Sequence, residues 1–475
     1  MRSRSLLLAA GACLATVTLT MGTAAADPPT PPPQFGHPPC TVTSSSTSSP
    51  TASHPTPDVL APTGTSSAST PLVSTPTRTA TTPTATTTAN CVTLFTTPQG
   101  NSAHVVQVGP DGNLWFPDGN NIVRMLLRAP YTQTDFPIPG GGPFGITSGP
   151  DGNIWFVQQG QQSCNTPNAA PGQVGRILTH APYTVTEFPV PGASAIVEGI
   201  ATGGDGNIWF TRRGSAGCGL ADTPEIDRIV PHAPYTITQF PLPAATPPLP
   251  ANAGPFLMVA DAQGNLWFNF LAAALTGEIS AYGSHQITLL PTGAGPLTRG
   301  PRQDPNSIWF VAAVSGGPNF TAGGPYSIGR IDTITHAVTT YPVTMTGVPS
   351  NIGAGPDGNI WVTETRTEYA IGRFQTHAPF TFSEIPLPDD TYPISVTCAP
   401  DGNEWFSSVR FPSPPDNPQG NPAVIGRVNL TAHDGLPGLS DVIGGGVAGD
   451  LGSLLGGLGH GDCPAPPPGI FPHGR

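Results

Sequence analysis

Few residues of this chain are suited to chemistry, and those that are lie close to tryptophans. His104 and Asp118 flank Trp115, and together they could act as a general base and the carboxylate that orients it. A hydrogen-bonded pair with a structural role is the alternative interpretation. Glu364, three residues after Trp361, is a further carboxylate that could accept a proton. The chain therefore offers general acid–base chemistry, provided that its fold brings such side chains together.

A second set of polar residues offers binding rather than proton transfer. Glu198 and Arg212 flank a single tryptophan, and we expect them to form an ion pair that satisfies both charges, which favours a structural role. Gln158 and Ser350 carry neutral groups that donate and accept hydrogen bonds. With Asp118, these residues are candidate contacts to a polar ligand.

The elements that would position these residues form a repeat. All seven tryptophans occur at the same place in the phrase Asp-Gly-Asn-aliphatic-Trp-Phe or a near variant of it, at spacings of 40 to 58 residues. These spacings are close to the period of one β-propeller blade. The copies centre on Trp115, Trp155, Trp209, Trp267, Trp309, Trp361 and Trp405.

Within one copy the pattern predicts four short strands. In the second copy these are residues 145–148, 154–157, 174–177 and 184–188, which are rich in β-branched and aromatic side chains. The Pro-Asp-Gly-Asn sequence between the first two strands supplies a tight hairpin. We therefore predict an all-β protein, a seven-bladed β-propeller with four-stranded blades, whose tryptophans pack between consecutive blades.

The ends of the repeat region predict how the ring closes. The seventh copy has no outer strand after Asn429, whereas residues 92–98 resemble an outer strand that has no blade before it. We expect this N-terminal strand to complete the seventh blade, because closure leaves no open edge in the ring. The propeller is predicted to span residues 91–433.

The segments outside the repeats differ in composition. Residues 1–26 have the layout of a cleaved signal peptide, with two arginines before an apolar run and three alanines before Asp27. Residues 27–90 are rich in Thr, Ser and Pro, and we predict a disordered stalk. Residues 434–475 are predicted to form a flexible tail rich in Gly and Pro. We expect an exported protein, secreted or associated with the cell envelope.

Six cysteines remain after the signal peptide, and an even number in an exported chain predicts disulfides. Cys164 and Cys218 each follow their tryptophan by nine residues in neighbouring copies, so we expect them to pair. The short spacings of a zinc site do not occur. The residual pairings are Cys40 with Cys91 and Cys398 with Cys463.

Charge limits the class of partner. Charged residues make up 10% of the chain, the net charge is −12, and every basic residue is an arginine. Nucleic acid and anionic membranes require clustered cations, so the sequence argues against both. After the leader, no apolar stretch is long enough to cross a membrane. We expect a monomer whose ligand is a small molecule, a peptide or a glycan.

The repeated phrase also points to a family. Gly-Pro-Asp-Gly-Asn-Ile-Trp-Phe, followed by Ile-Gly-Arg-Ile and Thr-x-Phe-Pro-x-Pro, resembles the streptogramin B lyase (virginiamycin B lyase) family of seven-bladed propellers. The resemblance covers about residues 92–429. It implies an elimination, assisted by Mg²⁺, that opens a cyclic depsipeptide at its ester bond. It also implies that histidines on inner strands and glutamates on second strands do this work at the central axis.

The family's two positions can be located in each copy. The histidine position, seven residues before the Asp of the repeat, matches only at His104, and the glutamate position, three residues after each Trp, matches only at Glu364. An elimination needs a base, and an acid or a metal ion for the leaving oxygen. With one histidine and one glutamate, the chain has fewer candidate catalytic residues than the resemblance implies. The first position holds His104, Phe144, Glu198, Phe256, Leu297, Ser350 and Ile394. The second holds Asp118, Gln158, Arg212, Phe270, Ala312, Glu364 and Ser408.

Three functions follow as expectations. The first is an exported binding propeller. The alternative is a magnesium-dependent carbon–oxygen lyase that works through His104 and Glu364 on a cyclic depsipeptide or a related ester. The third is a structural spacer in the cell envelope. Long loops at residues 158–173, 212–225 and 311–327 are where a binding surface could have been added.

Overall fold

The structure is a computed structural model, and the residues it describes all lie within one unit of the chain, residues 59–475. They contain no helix with the length and hydrophobicity that a membrane crossing needs. The described residues are 65–87, 92–101, 103–160, 172–192, 196–213, 223–244, 249–250, 253–271, 273–292, 294–313, 325–365, 369–388, 391–409 and 422–430.

The described chain is built from short β-strands, and five of them precede the first blade. The first four lie in the segment predicted to be a stalk, and the fifth is the predicted closing strand. They are β1 (Thr65–Ala68), β2 (Leu72–Ser74), β3 (Thr79–Thr81), β4 (Ala85–Thr87) and β5 (Val92–Thr96).

The first three blades follow in chain order, each with its inner strand first. Blade one contains β6 (Gln107–Val108), β7 (Leu114–Asp118), β8 (Asn121–Met125) and β9 (Gln133–Pro137). Blade two contains β10 (Pro143–Ser148), β11 (Ile154–Gln158), β12 (Gln173–Ile177) and β13 (Val185–Pro189). Blade three contains β14 (Ile196–Thr202), β15 (Ile208–Arg213), β16 (Glu225–Ile229) and β17 (Thr236–Pro241).

The remaining four blades repeat this arrangement. Blade four contains β18 (Gly254–Ala260), β19 (Leu266–Leu271), β20 (Thr276–Ile279) and β21 (Ile287–Leu290). Blade five contains β22 (Ala294–Arg299), β23 (Ser307–Ala313), β24 (Pro325–Asp332) and β25 (Val338–Thr344). Blade six contains β26 (Val348–Ala354), β27 (Ile360–Thr365), β28 (Ala370–Phe374) and β29 (Phe382–Pro386). Blade seven contains β30 (Tyr392–Cys398), β31 (Glu404–Val409) and β32 (Val424–Val428).

The predicted seven-bladed, all-β ring and its closure are confirmed. All pairings within the blades are antiparallel, and β5 pairs with β32, so that Phe95 lies opposite Ile425. The seventh blade thus takes its outer strand from the N-terminal side of the propeller and its other three from the C-terminal side. This junction ties the two ends of the propeller together.

The prediction of a disordered stalk over residues 27–90 is wrong for residues 65–87. We call this segment the belt. Its strands β1, β2, β3 and β4 add a fifth, outermost strand to blades three, two, one and seven in turn. Backbone hydrogen bonding to an open sheet edge does not depend on side chains, so a segment with few apolar residues, whose Leu72 and Val73 are exposed, can still pair there. Composition alone could not reveal that partner.

The repeated tryptophan holds consecutive blades together. Trp155 is fully buried, and its indole Nε1 donates to the Oδ1 atom of Asp151 at 3.0 Å. Arg176 lies opposite Trp155 on the next strand, 5.7 Å from the indole ring centroid, and Tyr235 of blade three lies 5.5 Å from the same guanidinium. The apolar cluster around Trp155 likewise includes Phe210 of blade three. Consecutive blades are therefore held together by contacts of the Trp and Arg of one repeat with aromatic residues of the next, while the Asp satisfies the indole N–H.

The glycine of the Ile-Gly-Arg-Ile phrase has a steric cause. Gly175 lies opposite Phe156, and a Cβ added at Gly175 would come within 2.1 Å of the phenyl ring. The same close approach of a phenylalanine ring occurs at Gly277, Gly329 and Gly426. Glycine at this position therefore lets the phenylalanine of the Trp-Phe pair lie flat across the neighbouring strand.

Glu404 breaks the repeat inside the core. It stands directly before Trp405, where the other six copies have Leu or Ile. Its side chain is fully buried, and neither carboxyl oxygen has a hydrogen-bond partner within the described part of the chain. Burial raises the pKa of this carboxyl well above its usual value, and the charges of Asp357 and Asp401 raise it further. The folded protein therefore keeps this acid protonated to a higher pH than the unfolded chain does.

Deletion of residues 65–87 is expected to speed amide hydrogen exchange in β9 and β13, because their outer backbone groups lose the belt as partner. Exchange measured by mass spectrometry on peptides covering these strands tests this. Strand β29, which no belt strand covers, is the internal reference and should not change. Equal exchange of β9 and β13 with and without the belt would contradict the pairing.

Replacement of Glu404 by leucine is expected to stabilise the fold by about 1–3 kcal/mol, because an unpartnered buried polar group costs about that much. The gain should be larger at pH 8 than at pH 5. The unfolded carboxyl loses its proton near pH 4.5, whereas the folded one keeps it, so the wild type loses stability as the pH rises through this range. Urea unfolding at both pH values measures the difference.

The matched control for this substitution is Ile360→Leu, at the same position of blade six, which should change stability little. A Glu404→Leu variant that is less stable than the wild type at both pH values would contradict the prediction.

Candidate functional site

A channel runs between the inner strands, and residues from all seven blades line it. Its volume is about 640 Å³. Most of its wall is apolar or small, with glycine, alanine, valine and threonine recurring from blade to blade. Among the described residues, the charged side chains that line it are those of Glu198, Arg299 and Arg302. A cavity of this size with few polar groups has the character of a ligand site.

The inner strands present one residue each at the first end of the channel, which we call the mouth. In six blades the inner strand has a register irregularity at this point, as between Pro143 and Ile146. Such bulges re-aim the side chain that they carry. The mouth residues are His104, Phe144, Glu198, Phe256, Gly295, Ser350 and Ile394.

One assignment of this position from the sequence is wrong. Leu297 pairs with Phe310 as Ile146 pairs with Phe156, so the mouth residue of blade five is Gly295 instead. The hairpin of blade five is longer than the others, since Trp309 follows its cross-strand partner by eleven residues and Trp155 by eight. The aspartate of blade five therefore lies nine residues after the mouth position, and not seven as in blades one, two, three, six and seven.

The mouth is aromatic on the side of blades one to four. The rings of His104 and Phe144 have centroids 5.0 Å apart, and those of Phe144 and Phe256 are 6.3 Å apart. Burial lowers the pKa of His104 below its ordinary value of 6.5, so the imidazole is neutral at neutral pH. It can therefore accept a proton or pack as an aromatic ring.

Glu198 is the acidic group of the mouth and is almost fully buried. Its Oε1 atom accepts from Gln159 Nε2 at 3.1 Å and from an Arg213 guanidinium nitrogen at 3.3 Å. Its Oε2 atom is buried and takes no partner from the described residues. Burial raises the pKa of Glu198 to about 7, although Arg213 and Gln159 act in the opposite direction. This carboxyl is therefore poised to gain or lose a proton near neutral pH.

The predicted ion pair of Glu198 with Arg212 is wrong, because the neighbouring Arg213 takes that place. Arg212 instead forms ion pairs with Glu225 and, at 3.5 Å, with Asp227, and it donates to the carbonyl of Pro191. Successive residues of a strand point to opposite faces, so a shift of one residue exchanges the two arginines.

The residues three after each tryptophan do not line the channel. Asp118 is fully buried and accepts from the backbone N–H groups of Gln99 at 2.7 Å and Asn101 at 3.1 Å. Gln158 donates to the carbonyl of Gly141 at 2.9 Å. These side chains hold the loop that leads into the first strand of their blade, and the expectation that they face the axis is wrong.

His104 therefore has a different environment from the one that the sequence suggested. No hydrogen bond or ion pair joins it to Asp118 within the described part of the chain, and its close neighbour is Phe144. Ser350 does lie at the mouth, and its hydroxyl bonds to the carbonyl of Pro393 in the next blade at 2.8 Å. Of the predicted site residues, the mouth thus brings together His104, Glu198 and Ser350.

Glu364 lies inside blade six, not at the channel. It is fully buried, and its Oε2 atom accepts from the backbone N–H of Gly347 at 3.0 Å. Glu384 accepts from the N–H of Thr346 at 2.8 Å. Burial raises the pKa of Glu364 to about 8, and the charge of Glu384 contributes. These two carboxyls form a pair that holds the loop between blades five and six, and His104 and Glu364 share no contact.

The donor set at the mouth does not fit the magnesium ion that the resemblance implies. Mg²⁺ takes several oxygen ligands in near-octahedral geometry. Of the seven mouth residues only Glu198 carries a carboxylate, and part of it is bound by Arg213. In the described chain no three His, Cys, Asp or Glu side chains are grouped so that they could hold a metal.

Several predictions concern residues outside the described part of the chain. Five of the six cysteines lie outside it, so the disulfide pairings stay predictions; these are Cys40, Cys91, Cys164, Cys218 and Cys463. Most residues of the three long loops also lie outside the described part of the chain. Cys398, at the end of β30, is described and lies buried.

Arg213, Arg299 and Arg302 contribute to the channel and its mouth, and no pattern in the sequence distinguishes them. Arg212 and Arg213 are adjacent, and the sequence does not show which of the two lies on the face of the strand toward Glu198. Arg299 and Arg302 lie in and beside the hairpin of blade five, which is longer than the hairpins of the other copies, so the repeat assigns them no position. The irregular length of its hairpin was the signal that could have drawn attention to them.

Comparisons with known proteins agree with this architecture. The virginiamycin B lyase family model matches residues 75–247 and 247–411. No curated protein matches the chain.

Among solved structures, the chain is similar to catalytically inactive virginiamycin B lyase from Staphylococcus aureus with quinupristin. The identity is 22%, the match covers 71% of this chain and 98% of that one, and the TM-score is 0.53. A streptogramin B lyase structure is 22% identical over 71% of this chain and 96% of that one, with a TM-score of 0.52. At these identities the structural matches establish the fold.

The paired carboxyls of blade six predict a pH dependence. Between about pH 4.5 and pH 8 the folded protein keeps the Glu364 proton that the unfolded chain releases, so stability falls as the pH rises through this window. Glu364→Gln is expected to reduce this fall by roughly 1–3 kcal/mol, as judged by urea unfolding at pH 5 and pH 8.

The control is Glu187→Gln, at the position of blade two that corresponds to Glu384. There the residue three after the tryptophan is the amide Gln158 rather than a second carboxyl. A Glu364→Gln variant with the same pH dependence as the wild type would show that the raised pKa of Glu364 does not cause the loss of stability.

Proposed function

This chain belongs to the virginiamycin B lyase family, and from that premise we propose that it is an exported propeller that binds a small molecule, peptide or glycan in its central channel. The ligand enters at the aromatic mouth, and Glu198 is the polar group that anchors it.

Glu198 carries this proposal. It is the one carboxyl among the seven mouth residues, and its Oε2 atom takes no partner from the described residues. A buried polar group without a partner costs about 1–3 kcal/mol, and a donor on a ligand would recover that energy. In each of the other blades, the corresponding residue is neutral or apolar, or is the histidine of blade one. The mouth thus has one dominant acceptor, which is a basis for orienting a ligand.

The rings around Glu198 supply the apolar part of the site. His104, Phe144 and Phe256 form a continuous set of ring contacts above the channel. Aromatic side chains bury large areas of a ligand and also stack on flat groups such as peptide bonds or sugar rings. Gly295 leaves the position of blade five without a side chain, and Ser350 and Ile394 follow it in blades six and seven, so the rings lie on one side of the entrance.

Export is part of the proposal and rests on the sequence. The first 26 residues have the layout of a signal peptide, and the even number of cysteines after them suits an oxidising compartment. A secreted or envelope location would place the channel where it can meet ligands from outside the cell.

A carbon–oxygen lyase is the second candidate, and family membership favours it. In an eliminative ring opening, a base takes the α-proton, the carbon–oxygen bond breaks, and the electron pair leaves with the carboxylate. Glu198 is the better candidate base, because its pKa of about 7 suits proton transfer at neutral pH. His104 is the second titratable group of the mouth. The pairing of His104 with Glu364 has no basis in the geometry.

A structural spacer in the envelope is the third function. It differs from both others in a simple respect, because a spacer has no saturable ligand site. The buried acceptor at the mouth argues against it, since a purely structural ring would be more stable with an apolar residue there.

Quinupristin, the compound in the related Staphylococcus aureus structure, is the first probe. We expect saturable binding to the wild type by isothermal titration calorimetry, and at least tenfold weaker binding to Glu198→Gln, which keeps the shape of the side chain. Chromatography with fragmentation mass spectrometry follows the compound with and without Mg²⁺. An elimination gives a linear isomer of unchanged mass, whereas hydrolysis adds one water.

Glu187→Gln, a carboxyl inside blade two, is the matched control and should bind like the wild type. The binding propeller is supported if quinupristin stays unchanged and Glu198→Gln binds it at least tenfold more weakly. The lyase is supported if the wild type forms the linear isomer and Glu198→Gln does not. Equal affinity of all three proteins would remove Glu198 from the site.

A further inference from the structure

We propose that the channel takes a primary amine with an apolar chain, whose ammonium group binds Glu198 at the mouth and whose chain lies in the channel below it. This inference rests on the proposed function, because it names the class of ligand for the same site. It narrows that class from a small molecule, peptide or glycan to a cation that carries an apolar substituent.

Glu198 stands at the top of the channel. Of the seven mouth residues, it is the one that also lines the cavity. Its Oε1 atom accepts from Gln159 and Arg213, whereas its Oε2 atom is buried and takes no partner from the described residues. A carboxylate accepts hydrogen bonds on both oxygens, so Oε2 is left to accept from a donor on a ligand. An ammonium group supplies such donors together with a positive charge.

The charge of Glu198 favours an ammonium group over a neutral donor. Burial raises the pKa of this carboxyl to about 7, and Arg213 and Gln159 limit the rise, so the carboxyl is ionised at pH 8. The other charged residues of the described channel wall, Arg299 and Arg302, belong to the opposite end, and both have interaction partners of their own. Hydrogen bonds between charged groups are stronger than those between neutral groups, most of all where water is excluded.

Two phenylalanine rings meet over the blade that carries Glu198. Phe144 of blade two and Phe256 of blade four flank that blade, yet their ring centroids are 6.3 Å apart. A Cβ added at Gly145 would lie 2.6 Å from the carbonyl oxygen of Glu198. A Cβ added at Gly199 would clash with the carbonyl oxygen of Phe256. The three inner strands therefore touch at the mouth, and the faces of the two rings attract a cation that is bound beside them.

Thr211 holds this arrangement in place. Its hydroxyl accepts from the N–H of Gly199 at 2.8 Å and donates to the carbonyl of Phe256 at 2.7 Å. The backbone next to Glu198 is thus tied to the backbone of the next mouth residue. The carboxyl and the ring beside it are therefore positioned by the fold before a ligand binds, which lowers the entropic cost of binding.

The channel is apolar directly below the mouth. The residue two positions after each mouth residue lines the cavity, and in all seven blades its side chain is apolar and buried. These residues are Val106, Ile146, Ile200, Met258, Leu297, Ile352 and Val396. A hydrocarbon chain that moves from water into such surroundings strengthens binding about fourfold for each CH₂ group. The site therefore suits a ligand with a charged head and an apolar chain.

Isothermal titration calorimetry at pH 8 with hexylamine, hexan-1-ol and propylamine tests both parts of the ligand. Alkylamines, like the lysine side chain, are protonated at this pH. We expect hexylamine to bind the wild type most tightly. Hexan-1-ol keeps the chain without the charge and should bind about tenfold more weakly. Propylamine keeps the charge on a shorter chain and should bind roughly tenfold to a hundredfold more weakly. In Glu198→Gln the advantage of hexylamine over hexan-1-ol should disappear.

Leucine at Phe144 or Phe256 keeps an apolar side chain but removes the aromatic face. Each variant should weaken the binding of hexylamine about threefold more than that of hexan-1-ol. Phe380→Leu is the matched control, because Phe380 is an exposed phenylalanine on a turn of blade six, and it should bind all three compounds like the wild type. Glu187→Gln is the control for the carboxyl. Circular dichroism establishes that each variant is folded.

Equal binding of hexylamine and hexan-1-ol to the wild type, or a preference for hexylamine that persists in Glu198→Gln, would overturn the ammonium site. Equal binding of hexylamine and propylamine would overturn the place of the chain in the channel. If hexylamine does not bind at millimolar concentration, an apolar amine is not the ligand. The proposed function is judged separately, because quinupristin that binds the wild type and is weakened by Glu198→Gln would support it even if all three small compounds fail.

Discussion

The burial of one tryptophan per blade against the next blade is the interaction on which the rest of the structure depends. A single four-stranded sheet has two apolar faces, and it can cover them only with its neighbours on both sides. The indole fills that space, and the aspartate of the hairpin satisfies its N–H, as Asp151 does for Trp155 at 3.0 Å. Because each blade needs two neighbours, the chain has to close into a ring. The pairing of β5 with β32 accomplishes this.

A ring built in this way leaves two regions free to vary, the axis and the outer edge. At the axis, bulges release one residue per inner strand from the sheet pattern, so its identity does not affect how the blades pack. Histidine, phenylalanine, glutamate and glycine can therefore occupy equivalent positions. At the outer edge, backbone groups of the last strand are open to any extended segment, and a Thr-rich belt occupies four of the seven edges. Function can thus change while the scaffold is preserved.

The departures from the repeat therefore carry the information about function. Glu198, Gly295 and the long hairpin of blade five all occur where the repeat is broken, and all of them lie at the channel. Glu404 also departs from the repeat, but it lies in the core, where its unpartnered carboxyl lowers the stability of the fold and forms no part of the channel. Family membership gives the scaffold. Of the two residues that match the family's histidine and glutamate positions, His104 lies at the mouth and Glu364 is buried inside blade six.

The number of blades and the four-stranded pattern are readable from the sequence, because every copy repeats them, and the closing strand is readable because the seventh copy lacks an outer strand. The sequence also locates His104, Glu198 and Ser350. Three features depend on the folded chain: Glu364 and Asp118 face the interior of their blades, Arg213 and not Arg212 reaches Glu198, and residues 65–87 pair with outer strands. The reason is that alternation along a strand, a bulge or a longer hairpin moves a side chain to another face without altering the repeat. Backbone pairing at an edge leaves no pattern in the side chains at all.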